Sequence, residues 1–167
     1  VFDYVIDRLR SYFSDREVTP DVIDSVLANR PTQPTDIAAR IDALCSFRKL
    51  PNAASLAAAN KRIRNILKNI DRSKIGNVNQ KLFIEDAENA LHSALEELTS
   101  DVELLFEQHK YEHALNKLAD LRQPVDTFFD DVMVMDEDEK LKSNRIALLA
   151  QVDTLFMHVA DFSRLQS

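Results

Sequence analysis

The sequence is poor in the residues that make tight turns and cross-links. It contains one glycine and one cysteine in 167 residues. A single glycine disfavours the hairpin turns of β-rich folds, which need positive φ, and it excludes a glycine-rich loop that binds phosphate. The lone Cys45 cannot form a disulfide within the chain, which is typical of a reducing cytoplasm. We expect it to be a buried, unreactive thiol.

Two further absences exclude classes of protein. No apolar run approaches the roughly 18 residues of a membrane span, and no secretory signal is recognisable. No motif assembles a nucleophile, a base and an oxyanion donor, so the sequence indicates a binding protein. Because the chain begins at Val1 without a methionine, we expect residues 1–167 to be a single domain cut from a longer protein.

Apolar residues at helical spacing run through nearly the whole chain. This pattern predicts an all-α fold, a single bundle of about eight helices. We expect Thr19 to cap the second helix and Thr35-Asp36 the third, and the first helix to turn Tyr12 and Phe13 inward. The predicted helices cover 3–15, 20–29, 35–50, 52–70, 84–108, 111–121, 124–135 and 140–162, with loops at 31–34 and 71–81, of which the second is expected to be mobile.

A basic segment interrupts an otherwise acidic chain. The net charge of the protein is −7, yet residues 48–81 contain a single acid, Asp71. Interleaved acids are missing, so salt bridges between neighbouring turns do not explain the charge. The pattern favours a polyanion as partner, and the alternative is a docking face for an acidic protein. We call the nine cations of this segment the basic island: Arg48, Lys49, Lys61, Arg62, Arg64, Lys68, Arg72, Lys74 and Lys81.

Two other constellations have simpler interpretations. Asp130 and Asp131 are adjacent on a predicted helix, where side chains diverge by about 100°, so they cannot easily chelate one ion. The acidic run 136–139 fits a solvated turn that also favours the N-terminus of the next helix. His109, Glu112 and His113 match an inverted zinc-protease motif. His109 falls at a predicted helix break, so the two imidazoles would not share a helix face, and surface histidines are the favoured interpretation.

Two long motifs carry a resemblance to a known family. Residues 57–67 (AAANKRIRNIL) and 124–135 (PVDTFFDDVMVM), followed by 144–149 (NRIALL) and 160–163 (ADFS), resemble the carboxy-terminal region of bacterial glycyl-tRNA synthetase beta subunits. The resemblance covers essentially the whole chain. That region belongs to the all-helical anticodon-binding domains named after an Asp-Ala-Leu-Arg signature, of which residues 42–45 (DALC) hold only an echo.

The resemblance implies a function. A domain of this family binds the anticodon stem-loop of glycine tRNA and is non-catalytic by itself, while the alpha subunit activates glycine. The domain needs no cofactor of its own; ATP and Mg²⁺ serve the parent enzyme, a cytoplasmic hetero-oligomer. The family's tRNAs carry cytosines at the second and third anticodon positions. A cytosine offers an amino donor beside acceptors, so its reader needs a paired acceptor and donor, which an Asn amide, or an Arg beside a backbone carbonyl, can supply.

Individual roles are predicted from residue type and position. We expect Lys61, Arg62, Arg64 and Lys68 to contact phosphates or base edges and Asn65 to contact a base. Phe47 or a neighbouring aromatic residue is predicted to stack on a base. For Arg145, pairing with Asp130 or Asp131 inside the bundle is favoured over a contact with RNA. Asn60 has two equal interpretations, a base contact or a structural hydrogen bond. The predicted interface also includes Arg48, Lys49, Arg72 and Lys74.

Overall fold

The computed structural model describes residues 2–29, 31 and 33–165, and their side chains except at Phe2 and Ser163. Within these residues eight α-helices and four short 3₁₀ turns are present and no strand occurs, which confirms the predicted all-α bundle. No helix in this part is long and apolar enough to cross a membrane. The helices are α1 Phe2–Ser14, α2 Pro20–Leu27, α3 Pro34–Arg48, α4 Ala53–Leu67, α5 Asp86–Glu107, α6 Tyr111–Leu118, α7 Arg122–Asp131 and α8 Glu139–Met157.

Several helix ends differ from the prediction. Helix α3 begins at Pro34 after an extended Gln33, so the predicted Thr35 cap is wrong. Proline suits the first helical position because its missing N–H would have no partner there. Thr19 does stand at the N-cap position of α2, but its hydroxyl donates to the Asp21 carboxylate and caps no backbone amide. The predicted loop at 31–34 includes Thr32, which lies outside the described residues.

Helices α4 and α8 form the centre of the bundle. Leu56, Ile63 and Leu67 on α4 are at most 2% exposed, and α4 packs against α8, which is buried along most of its length. The 3₁₀ turn Phe162–Arg164 closes this core, where the Phe162 ring meets those of Phe47 and Phe156 edge-on at 5.2 and 4.8 Å. The packing fixes α4 by its inner stripe and leaves its opposite side to solvent.

Two details of the predicted core are wrong. Tyr12 on α1 is 46% exposed, and only its neighbour Phe13 is buried. Arg145 is buried as predicted, but its Nε atom donates to Glu88 at 2.6 Å and its terminal nitrogen to Asp136 at 3.2 Å. Asp130 and Asp131 are both exposed near the end of α7. Glu88 is the partner because α5 passes beside α8, a neighbour that the sequence pattern does not identify.

The segment between α4 and α5 is anchored to α8 near both of its ends. The Asn79 N–H donates to the Asn144 side chain at 2.7 Å, and the Asn144 amide donates back to the Asn79 carbonyl at 3.0 Å. Arg72 reaches the buried Asp153 at 2.9 Å. These contacts oppose the mobility that the sequence predicts for residues 71–81.

Helices α3 and α6 are joined by a hydrogen-bonded cluster around Asp36. Tyr111 donates to the Asp36 carboxylate, and Arg40 Nε donates to it at 2.8 Å while its guanidinium lies over the Tyr111 ring at 4.8 Å. Burial alone would raise the pKa of Asp36, but the hydrogen bonds from Tyr111 and Arg40 outweigh it and hold the pKa below its ordinary value of 3.8. Burial and the bond to Asp36 raise the pKa of Tyr111 to about 12.

Candidate nucleic-acid interface

The solvent side of α4 carries exposed cations and an exposed amide. Lys61, Asn65 and Lys68 follow one another at spacings of four and three residues, and Arg62 lies beside them, so all four project from neighbouring turns of one surface. No acidic side chain forms an ion pair with Lys61, Arg62 or Lys68 in the described part of the protein. We call these four residues the outer face of α4. Because Lys61, Arg62 and Lys68 are exposed and have no acidic partner in the described part, their positive charge is directed to solvent.

Arg62 is held by an aromatic ring from another helix. Its guanidinium lies 4.2 Å from the centroid of Phe129 on α7. A contact with an aromatic face neutralises none of the charge of an arginine and leaves the N–H donors free in the plane of the guanidinium group. The contact therefore fixes the direction of Arg62 and keeps it available to an anion.

Arg64 and Arg72 point away from the outer face, toward buried carboxylates. Arg64 lies 3.2 Å from Asp153 and 3.5 Å from Asp161, and Arg72 also pairs with Asp153. Asp153 is fully buried. A buried carboxylate needs these cations for its own solvation, so both arginines stabilise the fold before they can serve a ligand.

Two predicted contacts lie in the interior. Asn60 is 1% exposed and donates to Asp153 at 3.3 Å, which agrees with the structural alternative for this residue. Phe47 is 1% exposed, so the prediction that it stacks on a base is wrong in this fold. Its burial follows from its position three residues after the buried Leu44, on the same side of α3.

The remaining cations of the predicted interface lie at the edges of α4. Arg48, at the end of α3, donates to Thr19 at 2.8 Å and pairs with Asp21. Lys49 and Lys74 are exposed and have no ion pair among the described residues. They precede and follow α4 in the sequence and belong to different local elements.

A groove of about 680 Å³ opens beside the outer face of α4. Its apolar part consists of Ile66, Ile70, Ile146 and Met135, and its polar part of Arg62, Asn65, Asn69 and Lys142. We call it the α4 groove. No acidic residue of the described part lines it, although the protein is acidic as a whole. The nearest acid that pairs with a lining residue is Glu139, 3.9 Å from Lys142.

Four residues at this site from outside the α4 segment were missed by the sequence reasoning: Phe129, Met135, Lys142 and Ile146. Each comes from the region around α7 and the first half of α8, more than sixty residues after α4. The sequence signal was the methionine pair of the second family motif, Met133 and Met135; the structure shows both side chains exposed, at 69% and 53%. Large exposed apolar side chains often mark binding surfaces.

The other candidate sites of the sequence do not assemble. Among the described residues no cluster of three or more His, Cys, Asp or Glu side chains could hold a metal ion. His109 has a positive φ of 56° between α5 and α6 and contacts Asp36 at 3.1 Å. Cys45 is half-buried, less than expected, and burial together with the nearby Asp42 raises the pKa of its thiol.

The chain is similar to one family of known proteins in both its family-model match and its relatives. The model of the DALR anticodon binding domain matches residues 56–161. A glycine–tRNA ligase beta subunit of Shewanella woodyi is 47% identical over 166 residues, and those of Vibrio campbellii and Pseudoalteromonas translucida are 46% and 45% identical. Each match covers 99% of this chain and 24% of the relative, so the chain spans about a quarter of their length. These findings confirm the resemblance carried by the two motifs.

Proposed function

Because the chain belongs to the DALR anticodon binding domain family, we propose that it binds the anticodon stem-loop of glycine tRNA through the outer face of α4. Two observations about the outer face of α4 together support this function. The family model includes the whole of the outer face, and this surface holds three cations that no acid of the described part neutralises.

The contacts divide into two kinds. Lys61 and Lys68 are exposed, flexible point charges that suit phosphates of the anticodon arm, while Arg62, fixed over Phe129, can donate two hydrogen bonds to one phosphate or base edge. Phosphate contacts supply affinity and position, whereas base contacts supply sequence preference. Asn65 is the residue of the outer face that combines a donor and an acceptor.

The proposal also assigns the chain a place in a larger enzyme. The relatives are beta subunits of glycine–tRNA ligase. We infer that this domain holds the anticodon arm while an alpha subunit activates glycine with ATP and Mg²⁺, in the cytoplasm. The domain would then contribute recognition of the tRNA and no chemical step.

The decisive experiment measures binding of glycine tRNA to the 167-residue chain by fluorescence anisotropy. Two competitors are compared: the same tRNA with both anticodon cytosines replaced, and an unrelated tRNA. We expect the replaced tRNA to bind at least about tenfold more weakly, as the loss of one good base contact implies. Equal affinity for all three RNAs would contradict anticodon recognition.

A matched pair of variants locates the surface. Lys61→Ala with Lys68→Ala should weaken binding of glycine tRNA strongly. Lys110→Ala with Lys117→Ala removes the same charge from the neighbourhood of α6 and should have little effect. If a folded Lys61/Lys68 double variant binds as well as the wild type, the outer face of α4 is not the interface. Strong binding of an acidic protein with no RNA binding would favour the docking-scaffold alternative.

A further inference from the structure

We propose that the α4 groove holds one unstacked base of the bound RNA loop, with Asn65 and Asn69 reading its hydrogen-bonding edge. The inference rests on the proposed function, because it names the part of the RNA that this surface receives. The groove measures about 680 Å³, within the roughly 300–1,000 Å³ range of sites for small ligands. It therefore has room for a nucleoside, whereas a base-paired helix would not enter it.

The apolar part of the groove suits the face of a base. Ile66 and Ile70 are half-buried, and Ile146 is 6% exposed, so these side chains form a floor. Met135 is 53% exposed at the side of the groove. A thioether is polarizable and makes favourable contacts with aromatic rings. A base that leaves the loop stack would exchange water for this surface, which lowers the cost of unstacking it.

The polar part of the groove suits the edge of a base. Asn65 and Asn69 are four residues apart and both exposed, so their amides lie on the same side. No hydrogen bond to either side chain occurs in the described part of the protein. Each amide offers a donor and an acceptor, the pair that the Watson–Crick edge of a base requires. These two side chains are therefore available for readout without first breaking an internal contact.

Charge at the groove suits the phosphates that flank such a base. Arg62 and Lys142 both line it, and no acid of the described part does, although the exposed Glu139 lies 3.9 Å from Lys142. Arg62 belongs to α4 and Lys142 to α8, so the two cations come from different helices. A nucleotide in the groove could thus be held by its base and by its phosphates at once. The outer face of α4 continues from Arg62 to Lys61 and Lys68, along which the neighbouring phosphates would follow.

The test uses the glycine anticodon stem-loop and a set of variants in which each loop base is replaced in turn. The wild-type chain should discriminate at one loop position by about tenfold or more. In Asn65→Ala with Asn69→Ala this discrimination should disappear, while affinity for the mismatched RNA changes less than about threefold. Lys61→Ala is the control: it should weaken binding of every RNA similarly and keep the discrimination.

A second variant tests the groove without removing the amides. Met135→Glu changes an exposed side chain, so the fold should persist, and it adds a negative charge beside the proposed base. We expect it to weaken binding more than Met133→Glu, which makes the same change at a neighbouring residue that does not line the groove. Discrimination that survives the double Asn replacement would overturn the base site and leave the proposed function intact. A wild-type chain that binds no anticodon stem-loop would overturn both.

Discussion

Asp153 shows how a single buried carboxylate limits which cations can bind a ligand. It is fully buried and accepts hydrogen bonds from Asn60, Arg64 and Arg72. Two cations of the basic island, Arg64 and Arg72, and the nearby Asn60 thus bind one buried acid. Removing a buried acceptor leaves its donors without compensation, which costs more than the pairs themselves contribute.

We therefore predict that Asp153→Asn lowers the free energy of unfolding by about 2 kcal/mol, since the amide cannot compensate two guanidinium groups. Arg64 and Arg72 are partly exposed, which limits the loss because water can solvate them. Urea denaturation followed by circular dichroism measures the change. The control is Asp101→Asn, which breaks an exposed pair with Lys117 and should cost less than about 1 kcal/mol. Equal losses in the two variants would contradict the role of Asp153.

The Asp36 cluster predicts a dependence of stability on pH. The folded-state pKa of Asp36 lies below its ordinary value of 3.8, so its contribution is present above that pH and is lost as the pH falls through the folded-state pKa. In Asp36→Asn the free energy of unfolding should be lower at pH 7 and should fall less steeply in acid. Denaturation at a series of pH values below 5 measures both slopes, and parallel slopes would refute the assignment.

The contact of Tyr111 with Asp36 predicts a loss of stability at high pH. Its folded-state pKa of about 12 exceeds its ordinary value of 10.0, so its contribution is complete below pH 10 and is lost as the pH rises toward 12. The difference in ultraviolet absorbance between the wild type and Tyr111→Phe isolates this phenol during a pH titration. Its ionisation should be centred near pH 12 while the protein is folded, and a midpoint near pH 10 would contradict the contact with Asp36.

At the scale of helices, local periodicity identified the elements but not their partners. The inner stripe of α4 and the burial of α8 follow from apolar spacing within each helix. The burial of Phe47 could also have been predicted, because Phe47 stands three residues after Leu44 and therefore lies on the same apolar side of α3. The partners of Arg64 could not: Asp153 and Asp161 lie 89 and 97 residues away in sequence. Contacts of that range depend on how helices dock, which no single helix encodes.

The contact between α4 and α7 gives a prediction about two helices at once. Phe129 holds Arg62 by a cation–π contact, a type of interaction that contributes about 0.5–1 kcal/mol at exposed sites. If this contact directs Arg62 toward RNA, Phe129→Ala should weaken binding of glycine tRNA by about two- to fivefold. In an Arg62→Ala background the same change should have no further effect. Additive losses in this double-mutant cycle would show that Phe129 acts independently of Arg62.

The whole molecule combines a negative net charge with a local positive surface. At −7 the protein repels polyanions from most of its area, so binding should be confined to the surface where cations are not neutralised. The sequence predicted this segregation well, because it depends only on charge order along the chain. It did not predict that three arginines of the basic island have acidic partners within the protein: Arg48, Arg64 and Arg72.

The difference between cations that have acidic partners and cations that have none predicts the salt dependence of binding. Each cation that contacts a phosphate releases counterions, so it adds about one unit to the slope of log K against log salt concentration. Lys61→Ala with Lys68→Ala should therefore reduce the slope for glycine tRNA by about two units. Arg72→Ala should leave the slope nearly unchanged, because its charge is already matched by Asp153. Anisotropy titrations between 50 and 200 mM salt measure all three slopes, where salt dependence of this kind is large. A loss for Arg72→Ala as great as for one lysine would mean that RNA displaces Arg72 from Asp153 and extends the interface to the basic island as a whole.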